Sequence, residues 1–382
     1  MNRNWLLFFF LIGVFSGCRT PFDPEVPDTE LRILVVEGYL DTEGMKSELK
    51  LSRTVPLSTE ASLLPEIGAK VILRGQNGQQ FPLSEKGEGV YLFERNIDER
   101  QSYTLEILLN SGERYASEEL KPIVTPEIID GGFKRDEDGV EVFVSAQGNA
   151  EADDFLWTFE ETWIYRPRIR SPYIYDARLK DVRQRTEAEQ NSLCFKTESS
   201  PDIVLETSSR FQDQIVFQKT ITEIPQGDER IMERYSILIS QKGIASKDVA
   251  FWEILKKNTE DIGSIFSPLP SLIGGNIKSS DNASNPVIGQ VSLGVVRQKR
   301  VYINLQDVSP WNYLDPEFND CVIEEEAVFR QDYQTEFGAG EVVPVRGLME
   351  GTTIVAYYPS TRRCTDCTLY ASRIRPDFWE DN

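Results

Sequence analysis

Along most of the chain apolar residues recur at every second position in short runs, the spacing of a strand that buries one face, and turn-forming residues separate the runs. Leu31 to Tyr39 opens the series, and Asp41-Thr42-Glu43-Gly44 turns the chain before Ser47 to Val55. Ala69 to Arg74 leads through Gln76-Asn77-Gly78, an Asn-Gly hairpin signal flanked by strand-like residues, into Phe81-Pro82-Leu83. Gly89 to Arg95, Tyr103 to Leu109 and, past Ser111-Gly112, Glu113 to Ala116 continue the pattern. Short strands at this spacing, uninterrupted by a helix, predict an amino-terminal β-sandwich over residues 31–124.

Pro122 and Pro126 break the rhythm, and a second region over 125–382 opens at Ile128-Ile129-Asp130-Gly131-Gly132. Alternation resumes in Gly139 to Ser145, where Val140, Val142 and Val144 share a face. Phe155 to Tyr165, Ile203 to Glu206, Ile215 to Thr220 and Glu233 to Ser240 read as further strands. One segment changes period. Ser246 can cap a helix near 246–262 whose first turn holds Asp248 and whose apolar face is Val249, Trp252, Leu255 and Ile262. Glu253 and Lys257 form an i, i+4 pair on its other side, Gly263 ends it, and Phe251 and Trp252 read as packing residues. An irregular stretch from Phe266 to Asn276 precedes strands at Val287 to Val296 and Val301 to Leu305. The acidic stretch Trp311 to Glu326 reads as an exposed excursion. The predicted class is mainly β: a sandwich followed by a larger β-rich domain with one inserted helix.

The first residues follow another logic. A polar start with Arg3 runs into the apolar stretch Trp5 to Phe15. A spanning helix needs roughly 20 apolar residues and a signal-peptide core about 7 to 15, so residues 1–17 read as a signal peptide. Phe15-Ser16-Gly17-Cys18 resembles the lipobox cleaved by bacterial signal peptidase II, with Phe15 where Leu or Val is usual. Cys18 is therefore the expected lipidation site and membrane anchor. Residues 18–30, with Pro21, Pro24 and Pro27 among Asp23, Glu25 and Asp28, read as an extended acidic tether. Acids just after a lipidated cysteine resemble the signal that sends lipoproteins of Bacteroidota to the outer face of the outer membrane. The expected location is thus the outer membrane, lipid-anchored and facing the exterior.

Composition narrows the chemistry. With 62 acids against 41 bases the formal net charge is −21, which favours solubility and argues against nucleic acid as a partner. The local basic cluster Arg166, Arg168, Arg170, Arg178, Lys180, Arg183 and Arg185 reads as a solvated face. The chain has no histidine, which removes Ser-His-Asp and Cys-His nucleophiles and every histidine-containing zinc site. No glycine-rich phosphate loop is present, Glu160-Glu161 and Glu324-Glu325-Glu326 read as surface runs, and Asp315, Glu317, Asn319 and Asp320 lack the central glycine of an EF-hand loop. No catalytic residue, metal or cofactor is expected. Besides Cys18 there are Cys194, Cys321, Cys364 and Cys367, an even set expected to form disulfides after export, with all three pairings open. A redox or zinc role for Cys364-Thr365-Asp366-Cys367 fits less well, because its flanks read as strands and Cys194 and Cys321 lie far apart in sequence.

Four stretches together resemble a Bacteroidota outer-membrane lipoprotein family known as domain of unknown function 4249. They are Leu34-Val35-Val36-Glu37-Gly38; Glu160-Glu161-Thr162-Trp163; Tyr235 to Gln241 through Trp252 to Gly275-Asn276-Ile277; and Cys364-Thr365-Asp366-Cys367 with Pro376-Asp377-Phe378-Trp379. Ala371-Ser372-Arg373 departs from the glycines expected there. The resemblance implies an outer-membrane lipoprotein, often encoded beside a TonB-dependent receptor, whose amino-terminal sandwich is of the transthyretin or carboxypeptidase-regulatory type. It implies no reaction. The leading expectation is an accessory or binding partner of a TonB-dependent transporter in nutrient uptake, with partner contacts from loops bearing Tyr165, Arg168 and Tyr173, Phe266, and Trp311 and Tyr313. The alternatives are a surface carboxylate-based hydrolase, which needs two acids facing each other roughly 5 to 10 Å apart, and a purely structural envelope lipoprotein.

Overall fold

The alternating runs become strands, and in several, such as Lys70–Gly75 and Tyr103–Leu108, every second residue is buried. A computed structural model describes residues 32–55, 63–200, 202–260, 274–282, 285–313 and 316–381; Cys18, the tether and Phe266 lie outside them. The first region comprises β1 (Leu34–Asp41), β2 (Ser47–Thr54), β3 (Leu63–Pro65), β4 (Lys70–Gly75), β5 (Gln80–Pro82), β6 (Ser84–Gly87), β7 (Val90–Phe93), β8 (Tyr103–Leu108) and β9 (Arg114–Ser117). The second continues with β10 (Ile128–Arg135), β11 (Gly139–Gln147), β12 (Asp154–Tyr165), β13 (Tyr173–Asp176), β14 (Asp181–Gln184), β15 (Cys194–Ser199), β16 (Val204–Thr207), β17 (Ile215–Pro225) and β18 (Arg234–Ile244). After helix α1 (Val249–Glu260) come β19 (Ile277–Ser279), β20 (Val287–Gly294), β21 (Val296–Asn304), β22 (Val328–Phe329), helix α2 (Tyr333–Phe337), β23 (Val342–Glu350) and β24 (Thr353–Thr361). The protein is mainly β, as its pattern predicts. Helix α1 falls within the predicted span, but a single 3₁₀ turn, Ser246–Asp248, precedes it with Ala245 at the cap position and no side-chain cap. No helix of the described residues is long and apolar enough to cross a membrane.

Two sheets enclose the first core. One has the order β20-β1-β2-β7-β6 and the other β19-β9-β8-β4-β5. Leu34, Val36, Leu40, Leu49 and Leu51 from one meet Val71, Leu73, Leu105 and Ile107 from the other, all nearly inaccessible. The predicted boundary at 124 does not close this sandwich. β20 runs parallel to β1 from Leu34↔Val287 to Asp41↔Gly294, and β19 extends the other sheet beside β9. Without β20, β1 would present an unpaired edge. Parallel neighbours need a long crossover, and here it holds the rest of the first region and all of the second sandwich but β21.

The close fit of β20 explains part of the family-like sequence. Gly289 has φ +139° and a Cβ there would lie 1.9 Å from the Val36 carbonyl oxygen; one on Gly275 would lie 1.5 Å from that of Gly289. Asn276 then docks on β20 through both amide atoms, donating to Val291 O at 2.7 Å and accepting from Val291 N at 3.0 Å.

In the second sandwich, the sheet β10-β11-β17 packs Val140, Val142 and Val144 against Phe155, Trp157, Phe159, Ile237 and Ile239 of the sheet β15-β12-β18-β21. A smaller unit follows, in which the sheet β22-β24-β23, α2 and the β13–β14 hairpin share a cluster of Val182, Tyr333, Phe337 and Tyr357. The tail returns to the second sandwich: Trp379 meets Phe195 edge-on at 5.1 Å, and Arg300 lies 3.5 Å above the Phe378 ring.

Candidate binding cleft

Strand alternation gives the second sandwich an outer face as definite as its core face. Leu156 and Thr158 on β12, Ser240 and Lys242 on β18, and Val296 and Gln298 on β21 are in register across three strands: Leu156↔Lys242, Thr158↔Ser240, Lys242↔Val296, Ser240↔Gln298. They form one patch. The outer face of the first sandwich approaches it with Glu37 and Tyr39 of β1 and Glu48 and Lys50 of β2, and α1 lays Phe251, Trp252 and Leu255 along the gap. The cleft so formed holds about 440 Å³, within the range of small-molecule sites.

Hydrogen bonds between the sandwiches set the width. Tyr39 donates its hydroxyl to Gly243 O at 3.1 Å, and Gly243 N donates to Thr125 Oγ1 at 2.8 Å. Asp41 accepts from Val296 N at 3.0 Å, and Arg297 reaches Glu43 at 2.9 Å and Glu127 at 3.0 Å. The linker joins in: Ile123 N donates to Leu293 O at 3.0 Å and Ile123 O accepts from Val295 N at 2.9 Å.

Polar and apolar side chains share the lining of the cleft. Half-buried Lys242 donates to Thr158 Oγ1 at 3.0 Å and lies 5.8 Å from the centre of the Tyr39 ring. Burial pushes its ammonium down to about 8, because a charge is costly where water is displaced. Burial likewise holds the Tyr39 phenol above its usual range, against the opposing hydrogen bond of Thr125. Trp252 Nε1–H is buried without a hydrogen-bond partner among the described residues, and the Trp252 ring stands edge-on to Phe251 at 5.5 Å. The cleft thus offers donors and aromatic faces. Phe251 and Trp252, predicted as packing residues, are only half-buried and line it.

Of the residues predicted for partner contact, none of those described lines this cleft. Tyr165 is buried against Cys194, Cys367 and Tyr370. Trp311 is buried too, donating to Asp228 O at 3.0 Å beneath Arg135. Tyr173 meets Tyr357 edge-on at 4.8 Å. Tyr165 and Trp311 hold the fold together and present no free surface, which corrects the expectation drawn from their loops, whereas Tyr173 is half-buried. Arg168 is exposed and Tyr313 half-buried. The acidic excursion is also more than exposed, since Phe318 is buried against Tyr370 at 5.4 Å. In the basic cluster, Arg166 pairs with Glu233, and Arg183 with Asp176 and Glu189.

Glu161 is another correction. It is buried rather than part of a surface run, accepting from Tyr235 Oη at 2.6 Å and Arg230 Nη1 at 2.8 Å. Asp228 takes the other edge of the Arg230 guanidinium. Alternation along β12 could have found it: Phe155, Trp157, Phe159, Glu161 and Trp163 share the inward face. The cysteines pair as Cys194–Cys367 and Cys321–Cys364, so each sulfur of the CxxC segment bonds a distant one. One flank of that segment is the 3₁₀ turn Cys367–Leu369 rather than a strand.

The family model that matches this chain, described as "Domain of unknown function (DUF4249)", covers residues 19–300. It takes in both sandwiches up to β21 and three of the four family-like stretches; the cysteine-containing tail lies beyond it. No curated protein matches. Among solved structures, a pullulanase complexed with maltotriose from Anoxybacillus sp. LM18-11 matches at 11% identity and a TM-score of 0.15, over 54% of this chain and 24% of that one. The chain spans about a quarter of that enzyme's length, and so low a score bears on neither fold nor function.

Proposed function

The chain belongs to the DUF4249 family, and from that premise we propose that it is an exported binding lipoprotein, anchored at the outer membrane through Cys18, that works beside a TonB-dependent transporter in nutrient capture. The lipobox-like run ending at Cys18 and the acidic tether support the anchor. One observation carries the binding role: a cleft of about 440 Å³ between two β-sandwiches, lined by aromatic rings and hydrogen-bond donors. Two of its acids are engaged structurally. Asp41 accepts backbone N–H groups from Glu43, Met45 and Val296, and Glu48 pairs with Lys86. That engagement takes both out of the free pair that carboxylate hydrolysis needs, and Glu37 and Asp202 are exposed rather than buried in the cleft.

The test is affinity purification of the full-length protein from outer membranes beside Cys18→Ala. The wild type should bring down a TonB-dependent transporter in near-stoichiometric amount and incorporate labelled palmitate, and the variant should leave the membrane fraction. Recovery without a transporter sinks the docking; unlabelled wild type, or a variant that stays in the membrane, sinks the anchor.

A further inference from the structure

Lys242 is a costly residue where it stands. An ammonium has three hydrogens to donate; here one goes to the neutral Thr158 hydroxyl, and no carboxylate of the described residues forms an ion pair with it. Buried charges are ordinarily paired or driven toward their neutral form. A methionine would fill the same strand position without that cost, so packing alone does not account for the amine. Two further features sit in the same cleft: the Trp252 N–H, which has no partner among the described residues, and an apolar wall from Phe251 and Leu255.

We propose that the cleft binds a small molecule with an anionic head, a carboxylate, sulfate or phosphate, seated on Lys242, and an apolar or aromatic body laid against Phe251, Trp252 and Leu255. This rests on reading the protein as a binding component and names the class of ligand. The Lys242 ammonium supplies the charge-assisted hydrogen bonds. The Trp252 N–H donates to another oxygen of the ligand, and the rings cover its body.

The other charges facing the cleft leave this role to Lys242. Asp41 on β1 is saturated by backbone N–H groups and Glu48 on β2 pairs with Lys86. Glu37 on β1 and Asp202 before β16 are exposed, as are Lys46 and Lys50 on the side of β2, so water screens all four.

The experiment titrates the purified mature protein with 2-naphthoate, 2-naphthalenesulfonate, 2-naphthyl phosphate and the neutral 2-naphthylmethanol by calorimetry. The anions should bind at least about tenfold more tightly than the alcohol, a single charge-assisted hydrogen bond being sufficient for that ratio, and their ranking separates carboxylate, sulfate and phosphate sources. Lys242→Met should lose that preference and keep the alcohol's affinity. In the wild type, anion affinity should fall as the pH rises past about 8, where the amine loses its proton, and in the variant it should stay flat. Thr158→Val leaves the amine in place and should retain the preference; Trp252→Phe keeps a ring and should lose part of it. Thermal melts check that each variant is folded. Equal binding of anions and alcohol, an unchanged preference in a folded Lys242→Met, or no probe binding at millimolar concentration overturns the proposal. Because transporter recovery is scored separately, a failed titration with an intact pull-down rejects the ligand class alone, and the reverse rejects only the docking.

Discussion

Replacing Glu161 by Leu removes the acceptor on which two donors converge. Tyr235 is fully buried with its hydroxyl 2.6 Å from Glu161, and Arg230 stands 2.8 Å away. The side chains of Arg230 and Glu161 are only 18% and 9% exposed, which places the pair among buried ion pairs. Breaking such a pair costs about 3–5 kcal/mol, against about 0–1 for a surface pair. Asp228 stays on Arg230 at 3.0 Å, so the guanidinium keeps a counter-charge and the lower end, about 3 kcal/mol, applies. Orphaning the Tyr235 hydroxyl adds about 1 kcal/mol or more, for a total near 4. Glu161→Gln keeps an acceptor and loses only the charge, and should cost about 1–2 kcal/mol. Urea unfolding of both variants, with Tyr235→Phe and the double variant to close the cycle, measures these values and the coupling of the pair. A Leu variant within about 0.5 kcal/mol of wild type, or a Gln variant as costly as Leu, would refute the assignment of this network as a clamp on the second sandwich.

Lys242→Met should raise stability at neutral pH. The amine is pushed from 10.5 down to about 8, so the native state pays for its charge below 8, and the variant's advantage, at most about 3 kcal/mol, should shrink as the pH climbs from 8 toward 10.5 in melts across that range. Burial, joined by Glu161, raises the Tyr235 phenol and burial raises that of Tyr39, so the stability each contributes is whole below about 10 and lost above it. Ultraviolet titration should therefore find both ionising only as the protein unfolds, and a complete tyrosine titration near 10 with the fold intact would contradict this. Removing Cys194–Cys367, which closes a separation of 173 residues, should destabilise by about 5 kcal/mol, and removing Cys321–Cys364, separation 43, by about 4, read as denaturation midpoints of Cys→Ser pairs.

How much of this is legible in the sequence depends on the range of the interaction. Val140, Val142 and Val144 show their shared face by period alone, and the helical period of Val249, Trp252 and Leu255 locates α1. Pairings across long separations are not written in a local pattern. β20 reads as a strand, but nothing near Val287 names β1 as its neighbour; that is decided by the edge of β1 and by the space a glycine leaves at 289. Glu161 and Gln241 do carry a local signal, each being a polar residue at an inward position. Gln241 accepts from Trp157 Nε1 at 2.9 Å and donates to Pro126 O at 2.8 Å, so both polar residues are satisfied by groups far away in sequence. The partner loops misled for the converse reason: an aromatic residue in an irregular segment reads the same whether it faces outward or anchors the segment, as Tyr165 and Trp311 do.

The cleft depends on the discontinuity of the first sandwich. β20 ends at Gly294 in one sheet and β21 begins at Val296 in another, with buried Val295 alone between them, so a nearly continuous strand couples the two sandwiches. Ile123 brackets that junction with two hydrogen bonds, and Tyr39 and Asp41 tie β1 to β18 and β21 beside it. The positions facing the gap, among them Ser240 and Lys242, look solvated in sequence because they are the polar half of an alternation. It is the second sheet, held at a set distance, that takes them partly out of water. Walls fixed in this way need little ordering when a ligand enters, which is the condition under which a few donors can give affinity. The same rigidity leaves Lys242 little freedom to escape toward solvent. Its desolvation and its suitability as an anion site therefore have one cause, the joining of two sandwiches through β20 and β21.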